Sequence, residues 1–167
     1  MKANEFEKRV NAVVAKLKKT TDSRAAEDVS IWWKGQKLKN VFQYAATSES
    51  CMVANMATGK VVVYQGKEYP VKRRTTFMQD FCIAEWCGGV KAVLDTFKQA
   101  STEWKDNPIY MAELILVLNF KVWEMHARHY TTWGLLYNDL FYSLRDIVYD
   151  YYEGDEEKVS YVWHYLD

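Results

Sequence analysis

From Thr75 to the C-terminus, apolar side chains return every three or four positions, the spacing that gathers them on one side of an α-helix. No other feature constrains the chain as much, because an amphipathic helix must bury its stripe against another element. The cleanest stripe runs through Trp133, Leu136, Tyr137, Leu140, Phe141, Leu144, Ile147, Val148 and Tyr151, with Gly154 as its stop. Upstream, Asp106-Asn107-Pro108 predicts a helix start, with Asn107 as cap and Pro108 at the first helical position, where a missing N–H loses no helical bond. That helix extends to about Tyr130, and Thr131 or Thr132 caps its successor. Phe77, Phe81, Ile83 and Ala84 begin an earlier helix that Gly88-Gly89 ends or kinks, and Val90, Val93, Leu94, Phe97 and Ala100 continue beyond it. Asp155 caps a short last helix carrying Val159, Val162, Trp163 and Leu166 on one face.

The first part of the chain reads differently. Residues 5–19 form an amphipathic helix on Phe6, Val10, Val13, Val14 and Leu17, with Asn4 and Glu7 spaced as a capping box. A short helix over Arg24 to Val29 follows, then strand-like runs at Ser30–Trp33 and Asn40–Ala45. Cys51–Met56, Lys60–Tyr64 and Lys67–Arg73 read as strands joined at Thr58-Gly59 and Gln65-Gly66. Pro70 cannot donate to a ladder, which places the last strand at an edge. The expected fold is therefore α+β and predominantly helical. A small antiparallel β-meander, about residues 50–73, packs with the N-terminal helix and a C-terminal bundle of four to five helices. The 167 residues show no repeat or linker, so a single domain over 1–167 is expected.

The formal net charge is zero, yet residues 1–75 hold 15 Lys/Arg against 7 Asp/Glu and residues 76–167 hold 7 against 15. The domain thus has a basic part, 1–75, and an acidic helical part, 76–167. Either the two halves dock on each other, or each attracts a partner of opposite sign. Cys51, Cys82 and Cys87 match no zinc spacing and read as free thiols of a reducing compartment. The N-terminus lacks an apolar signal core, so the expected location is the cytoplasm. The apolar run Ile109–Trp123 is interrupted by Glu113, Asn119 and Lys121 and falls short of a membrane span. A buried central helix fits it better, and no membrane partner is expected.

Phosphate-loop, dinucleotide-binding and nucleophile-elbow motifs are absent, and no cofactor is expected. Four groups of residues remain. His126 and His129, three apart on one helix flank, are the weak candidates for metal ligation and for a metal-dependent hydrolase. On a helical wheel, Glu113, Lys121, Glu124 and Arg128 share an arc of about 80° and read as a solvated, ion-paired face. Glu85 and Asp80, five apart, make no catalytic pair. A basic aromatic set, Trp32, Trp33, Lys34, Lys37, Lys39, Lys67, Lys72, Arg73 and Arg74, suits single-stranded nucleic acid, RNA or an acidic partner, because aromatic faces stack bases while cations meet phosphates. The acidic tail, Tyr149, Tyr152, Glu153, Asp155, Glu156 and Tyr161, suits a protein partner with a basic surface, because Tyr is amphipathic and enriched at interfaces.

The 16% aromatic content, the charge split and the missing catalytic motifs point to a non-enzymatic interaction protein. Its expected partner is a host protein or nucleoprotein, as for accessory or inhibitor proteins of phages and mobile elements. Direct nucleic-acid binding is the alternative. A homodimer through the apolar helix is a further partner reading.

Overall fold

The computed structural model describes residues 1–20, 61–64, 67–70 and 74–166. Five helices dominate them: α1 (Ala3–Thr20), α2 (Arg74–Trp104), α3 (Pro108–Ala127), α4 (Thr131–Tyr151) and α5 (Glu156–Leu166). Two four-residue strands, β1 (Val61–Tyr64) and β2 (Lys67–Pro70), pair antiparallel with Val61 opposite Pro70 and Tyr64 opposite Lys67. The expectation of an α+β fold built on a β-meander is overturned: the described residues form a helical bundle. Among the described residues, helices pack on helices, and β1 and β2 pair chiefly with each other. A two-stranded ribbon has too little apolar face to support a bundle. The expected strands at Ser30–Trp33, Asn40–Ala45 and Cys51–Met56, and the helix over Arg24 to Val29, lie outside the described residues.

Helix α3 is the centre of the bundle and packs against α2, α4 and α5, while α1 packs against α2 and α4. Its burial follows from its composition. Ile109, Met111, Leu114, Ile115, Val117, Leu118 and Met125 cover nearly the whole circumference and are all buried, and a helix apolar all round requires neighbours on all sides. Asn107 caps it as expected, its side-chain oxygen accepting from the Tyr110 N–H at 3.1 Å, with Pro108 in the first turn. The amphipathic α1 buries Phe6, Val10, Val14 and Leu17 and exposes its lysines. It begins earlier than the capping-box spacing indicated. The amides of Glu5 and Phe6 donate to the Lys2 carbonyl, which leaves Asn4 inside the first turn. Helix α4 begins at Thr131, so Tyr130 takes the cap position and neither threonine caps.

Helix α2 is two helices in one run. Gly89 has φ 63° and ψ −150°, a conformation essentially reserved for glycine. At Gly88, a Cβ would lie 2.4 Å from the Ala92 Cβ. The arms 74–88 and 90–104 turn back on each other, and both line a cleft of about 350 Å³ that includes Phe77 and Ala84 from the first and Ala100 and Trp104 from the second. No described helix is long and apolar enough to cross a membrane.

Candidate functional site

Helix α4 is amphipathic, so the positions between its buried ones form an outward face. Leu135, Tyr142 and Tyr149 recur there at seven-residue steps, nearly one line along a helix, and their relative exposures are 61%, 50% and 54%. Asp139 and Asp146 flank them and are exposed. Tyr149 was among the sequence candidates. Leu135 and Tyr142 were missed, although they are legible as apolar residues on the wrong side of the stripe. Glu153 and Glu156 are also exposed.

Two members of the acidic tail serve the fold instead. Tyr152 is buried, its hydroxyl donates to the Lys105 carbonyl oxygen at 2.6 Å, and its ring lies 5.6 Å from Lys158 Nζ. A side chain so enclosed is unavailable to a partner. Asp155 accepts from the Lys158 N–H at 3.1 Å and so caps α5. The side chain of Tyr161 lies outside the described residues. So do Trp32, Trp33, Lys34, Lys37, Lys39, Lys72 and Arg73, together with the side chains of Lys67 and Arg74, which are placed only by backbone in β2 and at the start of α2.

His126 and His129 are both exposed, at the end of α3 and in the turn to α4. His129 has φ 62°, and its N–H donates to the His126 carbonyl, which is helix-terminating geometry. Among the described residues no group of three His, Cys, Asp or Glu is arranged to hold a metal ion.

The strongest electrostatic feature is interior. Lys121 Nζ, with no exposed side-chain surface, pairs with Glu85 Oε1 at 2.6 Å and with Glu124. The Tyr137 hydroxyl donates to the same Glu85 oxygen, and Cys82 Sγ lies 3.8 Å from Lys121 Nζ. The cluster therefore ties α2, α3 and α4 together. This corrects the expectation of a solvated face: Lys121 and Glu113 are buried, and Glu124 is nearly so. Arg128 alone keeps the rim position, 3.6 Å from the other Glu124 oxygen. Glu85, set aside in the sequence, is the carboxylate that Lys121 meets.

Burial pushes Glu85 up to about 7, against the pull of Lys121. Burial also pushes the Cys82 thiol up to about 12, which keeps it protonated and a poor nucleophile at neutral pH. Tyr137 is raised by burial and by the neighbouring Glu85. For Lys121, burial opposes the charge, but Cys82, Glu85 and Glu124 outweigh it and hold the ammonium above its usual value. No family model, curated protein or solved structure matches this chain.

Proposed function

We propose that this chain is a non-enzymatic protein-interaction module whose docking face is the outward side of α4. The carrying observation is the exposed line of Leu135, Tyr142 and Tyr149 on a helix whose opposite face is buried. Aromatic anchors surrounded by polar groups are the usual composition of binding hot spots. The flanking Asp139 and Asp146 favour a partner with a basic surface, because complementary charge guides encounter and fixes register.

The test compares capture by the wild-type chain with capture by a Leu135→Ser, Tyr142→Ser, Tyr149→Ser variant, with and without nuclease. These side chains lie on the surface, so the variant should keep its helical circular dichroism. A nuclease-resistant basic protein, held by the wild type and lost by the variant, is the expected result. Equal recovery on a folded variant overturns α4 as the docking face. Recovery of nucleic acid alone moves the binding function to the basic aromatic segment.

A further inference from the structure

We propose that Glu85, Lys121, Glu124 and Tyr137 form a proton-operated latch that closes the first arm of α2 onto α3 and α4, with Gly88-Gly89 as its hinge. Glu85 stands one helical turn before the hinge, and its carboxylate reaches α3 through Lys121 Nζ at 2.6 Å and α4 through the Tyr137 hydroxyl. Cys82, one turn earlier on the same arm, approaches the same ammonium. At the hinge, Gly89 adopts a backbone conformation essentially reserved for glycine, so the two arms join at a residue outside the helical geometry of both.

Among the described residues, the charges around Glu85 are few. From α3 come Lys121 and Glu124, with Arg128 meeting Glu124 from the solvent side. From α4 comes the Tyr137 hydroxyl alone. Helix α1 meets α2 through Lys18 and Asp95 on the second arm and adds no charge to Glu85. Among the described residues, Glu85 thus meets one cation, shared with a second carboxylate, and it is buried. Its ionised form is the weak point of the closed arm.

Burial raises Glu85 from 4.5 to about 7, with Lys121 pulling down and Glu124 pushing up. A carboxyl raised on closure binds its proton more tightly closed than open. Its contribution to closure is complete below about 4.5 and is lost as pH rises through about 7. Linkage then gives an opening equilibrium that grows about tenfold between pH 6 and pH 8 and levels off above.

The test is amide hydrogen exchange on the full chain, corrected for the intrinsic pH dependence of exchange. Phe77–Ala84 report the arm, because a helix of about 15 residues freed from its neighbours is marginal in water and its amides then exchange, and Leu140–Val148 serve as the reference. The arm should open about tenfold more at pH 8 than at pH 6 while the reference stays level. Glu85→Gln should remove that difference. Glu124→Gln, which takes away the carboxylate that raises Glu85, should move the transition to lower pH. The proposal is overturned if the wild-type arm shows no pH response, if Glu85→Gln keeps it, or if Glu124→Gln leaves its midpoint in place. This latch is independent of the docking face on α4.

Discussion

Lys121 carries its ammonium into the core because α2 and α4 cover the arc of α3 on which it sits. Burying a charge is costly unless it is paired and hydrogen-bonded, and here Glu85 and Glu124 supply the partners. Lys121→Met would strand Glu85 and leave Glu124 with Arg128 alone, and should cost about 3–5 kcal/mol, read from urea denaturation at pH 8. The loss should shrink at pH 5, where Glu85 is protonated. Arg9→Ala removes a 2.5 Å ion pair with Asp150 whose side chains are 36% and 48% exposed. It should cost only about 0–1 kcal/mol by the same measurement, because water screens such pairs. Periodicity alone places Lys121, Glu124 and Arg128 on one arc, and the structure agrees. What it could not show is what covers that arc, which depends on helices far along the chain. Glu85 was illegible for the same reason: it lies 36 residues from Lys121, and only the fold joins them.

At the scale of elements, caps and glycines carried the reading. Asn107-Pro108 marks a helix start by backbone chemistry that needs no tertiary partner, and it is found in place. Asn107→Ala should cost about 1 kcal/mol, measured as a shift in urea midpoint. Gly88-Gly89 in the sequence predicts an end or kink, and the structure shows the kink. Gly89→Ala should cost about 1–3 kcal/mol, visible as a lowered melting temperature with the helical content intact. The β-meander failed for a different reason. Short β-branched runs pair locally, as Val61–Tyr64 does with Lys67–Pro70, but a strand signal does not show that helices will use the ribbon as a layer. Thr131 and Thr132 also misled: a side chain that can cap does so only where the chain enters the helix beside it.

Across the whole molecule, opposite charge is placed where helices meet. Basic α1 reaches the acidic part through Arg9 to Asp150 and Lys18 to Asp95, so part of the charge split is spent internally. The buried cluster also sets an alkaline limit. Cys82, Tyr137 and Lys121 all have raised values in the folded chain. A raised group contributes fully below its unfolded value and loses that contribution as pH climbs through the folded one. For Cys82 the window runs from 9.0 to about 12. Thermal melts should therefore fall steeply above about pH 9, and Cys82→Ala should flatten part of that decline. An unchanged slope would remove Cys82 from the effect.

The meeting of the first and fourth helices also bears on how the chain is made. Phe6 rests against Tyr151 with ring centroids 5.0 Å apart, and Arg9 pairs with a residue 141 positions later. Synthesis proceeds at roughly 5–20 residues per second, so those 141 positions take about 7–28 s to follow. For that interval the front of α1 has been made while Tyr151 and Asp150 have not. Helix α2, made earlier, can cover part of the apolar stripe, but the cover is complete only when α4 has been made.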